Sequence, residues 1–231
     1  DDTQPLALGG NKIRQLEYYL GAAAANGCDT VLITGARQSN FVRSCAAAAR
    51  VLGWHAVVQL EDRVPREDPF YMSSGNVLLN QLFGAEIQTF PEGEDEAAAD
   101  EYLDRLARAC QARGRLPYTI HLGIDSPPIG GLGYVYAAAE TWQQLADQGV
   151  TPDHVVIPSG SGLTHAGFLV GARTIGWDVP IHGICVRRNA ALQRIRVERR
   201  SNELAQMLGP RATVRPVDVR VDDETLAPGY G

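Results

Sequence analysis

Apolar residues recur along the chain in two alternating patterns. Short continuous apolar runs, of which TVLIT at 30–34 is the clearest, are typical of strands buried on both faces of a parallel sheet. Longer stretches with apolar residues three or four positions apart predict amphipathic helices. Strands are predicted at 30–34, 55–60, 86–90, 118–122, 155–157 and 181–186, and helices after Lys12 and at 41–52, 72–83, 95–113, 134–148, 164–175 and 192–208, with 61–71 as a polar loop.

This alternation of strands and helices, joined by short connections, predicts an α/β protein with doubly wound, mostly parallel sheets. A proline- and glycine-rich stretch near 123–133 is the predicted crossing between two lobes. We assign residues 15–126 to a smaller lobe, and residues 1–14 and 127–231 to a larger one. Ligands of such folds bind at the carboxyl ends of the strands, where loops meet the first turns of helices.

Composition and charge exclude several classes of function. The 231 residues are 45% hydrophobic and 21% charged, as in ordinary globular proteins. A net charge of −6 without a basic stripe argues against nucleic-acid binding. The chain has no apolar run long enough for a membrane span and starts on acidic residues, so we expect a cytoplasmic protein. The four cysteines show no zinc-ligand spacing, which predicts reduced thiols and no metal site.

Lys12 is the only lysine of the chain, and it follows the pair Gly9-Gly10. Only a primary amine that can lose its proton forms a Schiff base with an aldehyde, and arginine cannot replace it. The glycines let the backbone approach a planar ligand or adopt positive φ. The apolar positions after Lys12 place it in the first turn of a helix, whose dipole disfavours a protonated amine. A Schiff-base lysine and a chance surface lysine both remain open from this stretch alone.

A second candidate is the turn after the strand at 155–157. Its glycines expose backbone N–H groups at a helix start, and its hydroxyls add donors, which together favour a phosphate site. It matches neither the Walker A loop nor the dinucleotide pattern. A glycine turn that serves only chain reversal is the alternative. The residues predicted to bind the phosphate are Ser159, Gly160, Ser161, Gly162, Leu163 and Thr164.

A third candidate is Gln38-Ser39-Asn40, at the start of the helix predicted at 41–52. Ser39 is a good helix N-cap, and capping is the commonest role of a serine there. The functional alternative is a small carboxylate held by these N–H groups and hydroxyls. One amine, one phosphate site and one carboxylate site together describe pyridoxal phosphate bound to an amino acid.

These motifs resemble a known family. LGGNKIR from Leu8, QSN from Gln38, GGLGY from Gly130 and SGSG from Ser159 occur in the order and spacing of the 1-aminocyclopropane-1-carboxylate deaminase and D-cysteine desulfhydrase family. Those are pyridoxal-phosphate enzymes of the tryptophan synthase β-like fold, also called fold type II. SGNVLL from Ser74 is more similar to the desulfhydrase branch. Phe41 stands where desulfhydrases usually carry histidine, and Leu163 where many members carry glycine.

The resemblance implies a role for each matching residue. Lys12 would carry the cofactor and remove the substrate α-proton, and Asn40 would bond the cofactor's ring hydroxyl. Gln38, Ser39 and Asn40 would bind the substrate, with Ser39 placed for proton transfer. Tyr230 matches a tyrosine that positions the substrate or takes part in acid–base chemistry.

The resemblance also implies a reaction and partners. We expect a lyase that acts on a small amino acid, with D-cysteine giving pyruvate, sulfide and ammonia. Ring opening of 1-aminocyclopropane-1-carboxylate, elimination from another substrate such as cysteate, and a non-catalytic protein that binds a phosphate ligand are the alternatives. We also expect a homodimer with no metal, nucleic-acid or membrane partner, and a larger lobe that is incomplete at both ends.

Overall fold

The chain divides into two units at the proline pair that follows Ser126. The structure is a computed structural model that describes residues 1, 3–91, 93, 95–209 and 213–227. One unit spans Asp1–Ser126 and the other Pro127–Tyr230. The boundary falls inside the stretch predicted as the crossing. Residues 1–14 group with the first unit in this division, and their assignment to the larger lobe stays a prediction.

The first unit is built on a four-stranded parallel sheet with the order β3-β2-β1-β4. β1 is buried along its whole length, and Ile33 pairs with Val58 of β2 in the middle of the core. The elements are α1 Lys12–Ala25, β1 Thr30–Ala36, α2 Asn40–Leu52, β2 His55–Glu61, α3 Pro69–Ser73, α4 Gly75–Leu82, β3 Glu86–Phe90, α5 Glu96–Ala112 and β4 Pro117–Ile120.

The second unit contains a three-stranded parallel sheet with the order β5-β6-β7. α7 is its central helix, because every residue from Leu163 to Ala172 is buried. The elements are α6 Leu132–Asp147, β5 Val155–Ser159, α7 Leu163–Thr174, β6 Ile181–Cys185, α8 Ala190–Leu208 and β7 Arg220–Asp222.

The predicted α/β class with parallel sheets is confirmed, but two local predictions are wrong. The single helix predicted at 72–83 is two helices, because Ser74 is extended and Gly75 has a φ of 58°. The first of them begins inside the predicted loop, where Asp68 caps the N–H of Tyr71 and Pro69 occupies the first position. The short strand β7 was not predicted, since three residues carry too little pattern.

Candidate active site

Lys12 begins α1, directly after a backbone segment with unusual geometry. Ala7, Leu8, Gly9 and Gly10 have φ values of 47°, 69°, 67° and 97°. Glycine adopts such angles freely, whereas each residue with a Cβ pays about 1–3 kcal/mol. The prediction that the glycine pair leads into a helix with Lys12 in its first turn is confirmed. The surroundings therefore hold the turn before Lys12 in one strained conformation.

The amine of Lys12 lies in an environment that favours its neutral form. Its Nζ is 5.5 Å from the centre of the Phe41 ring, and no ion pair to it forms within the described residues. Removal from water lowers the pKa of the amine from 10.5 to about 8. The ring face attracts a cation and so opposes this shift, but desolvation is the larger effect. The neutral amine is thus far more accessible near physiological pH than that of an exposed lysine.

Ser39 caps α2, as the sequence favours. Its Oγ accepts hydrogen bonds from the backbone N–H groups of Phe41 and Val42, at 3.2 and 3.3 Å. Because these bonds use only lone pairs, the hydroxyl keeps its own hydrogen for donation. Capping and substrate contact are therefore compatible roles for Ser39.

The side chain of Gln38 is bound to the segment that joins α3 and α4. Its Nε2 donates to the carbonyl oxygens of Tyr71 and Ser74, at 2.7 and 3.1 Å, and its Oε1 accepts from the N–H of Asn76, at 2.8 Å. A Cβ on Gly75 would lie 2.6 Å from that Oε1. The side chain has no remaining hydrogen to donate, so a substrate contact by Gln38 would use its backbone N–H.

In the second unit, the predicted phosphate turn links β5 to α7. Gly162 has a φ of 80° and occupies the N-cap position of α7, so the first-turn N–H groups have no acceptor within the helix. A Cβ on Gly160 would lie 3.2 Å from Val186, and one on Gly162 would lie 3.3 Å from Val197. Glycine at these two positions therefore lets the turn pack closely against the valine side chains. Its backbone N–H groups stay uncovered, as an anion site needs.

Two arginines hold the carbonyl groups of the turn. Arg188 donates from its Nη1 to the oxygen of Gly160 at 3.2 Å, and Arg196 donates from its Nε to the oxygen of Ser161 at 2.9 Å. In a trans peptide the N–H points away from the carbonyl of the same unit. These bonds therefore direct the N–H groups of Ser161 and Gly162 to the opposite side, and the guanidinium charges favour an anion there.

The hydroxyl of Ser159 is buried beneath the turn. Its Oγ accepts from Nε2 of Gln193 at 2.8 Å and lies 3.4 Å from Nδ1 of His165. Leu163 and Thr164 are buried as well, while Ser161 is exposed and its Oγ accepts from the N–H of Leu163. The side chain of Ser159 therefore supports the turn, whereas that of Ser161 is open to a ligand.

His165 gives the second unit a pH-dependent stability. Burial lowers its pKa from 6.5 to about 4, so the unfolded chain takes up the proton first as the pH falls. The contribution of neutral His165 to stability is present above pH 6.5 and is lost as the pH falls towards 4. We expect a loss of about 2 kcal/mol in the free energy of unfolding between pH 7 and pH 5.

Urea titrations of the wild type, His165→Gln and His121→Gln at both pH values measure this effect. His121 is the control because it is only partly buried in the other unit. The loss should shrink in the His165 variant and persist in the His121 variant. An equal loss of unfolding free energy in all three proteins would show that His165 is not the group responsible for the pH dependence.

The remaining predictions concern Tyr230, metal binding, membrane helices and the cysteines. Tyr230 lies outside the described residues. In the described ranges, no three His, Cys, Asp or Glu side chains are grouped as a metal site would require, and no helix combines the length and hydrophobicity of a membrane span. The four cysteines are free thiols, of which Cys28 is partly exposed.

Comparison with known proteins identifies relatives over the whole chain. The family model described as pyridoxal-phosphate dependent enzyme matches residues 1–231. D-cysteine desulfhydrases of Salmonella choleraesuis (strain SC-B67) and Yersinia enterocolitica (serotype O:8 / biotype 1B, strain NCTC 13174 / 8081) are each 40% identical over 100% of this chain and 68% of their own length.

A solved structure supports the same grouping. The crystal structure of an ACC deaminase homologue superposes with a TM-score of 0.81 and 33% identity over 96% of this chain and 64% of the other. The chain thus spans about two thirds of the length of these relatives. The predicted tryptophan synthase β-like fold is confirmed.

Proposed function

This chain belongs to the family of pyridoxal-phosphate-dependent enzymes, in the group of the 1-aminocyclopropane-1-carboxylate deaminases and D-cysteine desulfhydrases, and we propose that it is a β-eliminating lyase. The proposed reaction converts D-cysteine and water to pyruvate, hydrogen sulfide and ammonia. The observation that carries the proposal is the single lysine, with its pKa lowered to about 8 at the start of α1. D-cysteine is favoured as the substrate because the 40% identical relatives are D-cysteine desulfhydrases.

The described residues fit pyridoxal phosphate. Lys12 offers an amine whose neutral form is accessible, which attachment to an aldehyde requires. The turn before α7 offers N–H groups turned away from arginine-bound carbonyls, which suits a phosphate. We propose that Lys12 holds the aldehyde carbon, that residues 159–164 hold the phosphate, and that Asn40 bonds the ring oxygen.

The chain's own residues have distinct tasks in the proposed reaction. When bound, pyridoxal phosphate supplies an electron-accepting ring that stabilises negative charge at the substrate Cα. Lys12 would be the base that takes the α-proton on its Nζ, and a pKa of about 8 suits that task near neutral pH. The hydroxyl hydrogen of Ser39 is available to bind the substrate carboxylate or to move a proton. Tyr230, outside the described residues, is proposed to position the substrate.

A second candidate is ring opening of 1-aminocyclopropane-1-carboxylate, favoured by the 33% identical ACC deaminase homologue. Parallel assays separate the two activities: sulfide release from D-cysteine and ammonia release from 1-aminocyclopropane-1-carboxylate, with L-cysteine as the stereochemical control. We expect kcat/KM for D-cysteine to exceed that for the cyclopropane at least about tenfold, a difference of about 1.4 kcal/mol in transition-state binding. Ammonia from the cyclopropane without sulfide from D-cysteine would replace the first proposal by the second.

A further inference from the structure

Arg43 is a buried cation that contacts no carboxylate within the described residues. The side chain projects from the first turn of α2 into the first unit, and the residue is only 6% exposed. Buried arginines are normally paired with carboxylates. Among the residues that the structure describes, Arg43 has none and bonds only amide and peptide oxygens. Burying a charge without a counter-ion is energetically unfavourable. An arginine retained here therefore indicates a function for the groups that it contacts.

Three oxygens share the guanidinium of Arg43. Its Nη1 donates to Oδ1 of Asn40 at 2.8 Å and to Oδ1 of Asn76 at 3.1 Å, and its Nη2 donates to the carbonyl oxygen of Gly9 at 3.4 Å. Gly9 belongs to the strained turn that precedes Lys12. Arg43 therefore joins that turn to the first residue of α2.

The donor-only character of arginine fixes which way both amides face. A guanidinium has no acceptor, so the atom of Asn40 or Asn76 that contacts it must be oxygen. The nitrogen of Asn76 then donates to the carbonyl oxygen of Gln38 at 2.6 Å and to Oδ1 of Asn40 at 3.0 Å. The oxygen of Asn40 thus accepts two hydrogen bonds, and its amide cannot flip without losing both.

The nitrogen of Asn40 is consequently the free end of this network. Asn40 is exposed, and its Nδ2 has no acceptor within the described part of the chain. Both Nδ2 hydrogens are available to an oxygen from outside the protein. Because the amide oxygen contacts a cation, the amide is polarised and its N–H groups are stronger donors. The site at Asn40 is therefore built to bond an acceptor, with a preference for an anionic one.

We propose that Arg43, assisted by Asn76, is a positioning residue that presents Nδ2 of Asn40 as a fixed donor to the ionised ring oxygen of the cofactor. The inference rests on the proposed function, because it requires pyridoxal phosphate to bind here. Through Gly9 the same guanidinium also holds the turn that leads to Lys12. The network thus couples recognition of the ring oxygen to the placement of the amine.

The test compares two ligands that differ only at the ring oxygen. Dissociation constants are measured for pyridoxal phosphate and for its 3-O-methyl ether, which cannot carry the negative charge. The ratio of the two constants in the wild type defines the preference for the ionised oxygen. Arg43→Met should reduce this preference about tenfold, and Asn76→Ala about threefold, as expected for charge-assisted and neutral hydrogen bonds respectively. Arg43→Lys keeps the positive charge but loses the planar set of donors of the guanidinium. It should therefore retain part of the preference that Arg43→Met loses.

Two further variants are controls. The first tests the inference even if Arg43→Met misfolds, and the second tests for effects of removing any arginine from α2. Asn40→Asp keeps an oxygen towards Arg43 and gains an ion pair, so it should fold, yet it replaces the donor by an acceptor and should abolish the preference. Arg50→Met removes an exposed arginine from the same helix and should leave the ratio unchanged.

The outcomes separate this inference from the proposed function. If Arg43→Met and Asn76→Ala weaken both ligands equally, Arg43 is only a structural residue and the inference is overturned. An unchanged ratio in Asn40→Asp would overturn it as well, even if Arg43→Met failed to fold. If the wild type binds neither ligand, both proposals fall. If it binds both ligands and releases no sulfide, only the assigned reaction falls.

Discussion

Lys12→Ala should reduce the turnover of D-cysteine at least about 10³-fold and remove covalent attachment of pyridoxal phosphate. Loss of a positioned general base alone accounts for about 10²–10⁴ in rate. Loss of the attachment point adds to this, because the chain has no second lysine that could take over. The measurements are steady-state sulfide release and the absorbance of the bound cofactor after gel filtration.

Lys12→Arg is the matched control for the charge and length of the side chain. Arginine keeps a cation over the Phe41 ring but cannot join an aldehyde or act as a base near neutral pH. Both variants should therefore be inactive, while non-covalent binding of pyridoxal phosphate persists. Sulfide release at more than about a tenth of the wild-type rate in Lys12→Ala would remove Lys12 from the mechanism.

Gly167→Ala should destabilise the second unit by about 3 kcal/mol or prevent its folding. α7 packs closely against the start of α6. A Cβ at Gly167 would lie 2.3 Å from the carbonyl oxygen of Gly131 and 2.8 Å from Cβ of Tyr134. The first obstacle is backbone, which cannot rotate away as a side chain can. Because α7 starts at the phosphate turn, the affinity for pyridoxal phosphate should fall together with the stability.

Gly21→Ala is the control for this substitution. Gly21 lies within α1, and a Cβ there would meet no atom within 4 Å. We expect it to raise stability by up to about 1 kcal/mol, the helix-propensity difference between the two residues. Urea titrations of both variants measure the contrast. A Gly167→Ala protein as stable as Gly21→Ala would show that α7 can move away from Gly131 and Tyr134 at little energetic cost, which would contradict the expected destabilisation.

The sequence predicted those parts of the fold that have a strong local pattern. Continuous apolar runs such as that of β1 have few alternatives to a buried parallel strand. The helix start at Lys12 was predictable because a glycine pair precedes a regular apolar face. The break at Ser74 was not, because it depends on Gln38, which bonds the segment from a distant part of the chain.

Those parts of the candidate site that are built by residues adjacent in sequence were predictable, and those built by distant residues were not. The glycine–serine turn and the serine cap could be recognised because neighbouring residues build them. Arg43 and Asn76 were missed, since most of their contacts join residues more than 30 positions apart. One signal was present: Arg43 is a charged residue just before the alanine-rich run of α2, three positions after Asn40.

A single covalent trapping experiment tests most directly whether Lys12 carries the cofactor. The purified protein is incubated with pyridoxal phosphate, reduced with borohydride and digested, and the peptides are analysed by mass spectrometry. A phosphopyridoxyl group on the peptide that contains Lys12, at about one group per chain, is the predicted result. A protein that binds pyridoxal phosphate but carries no label at Lys12 after reduction would contradict the proposed site and its chemistry.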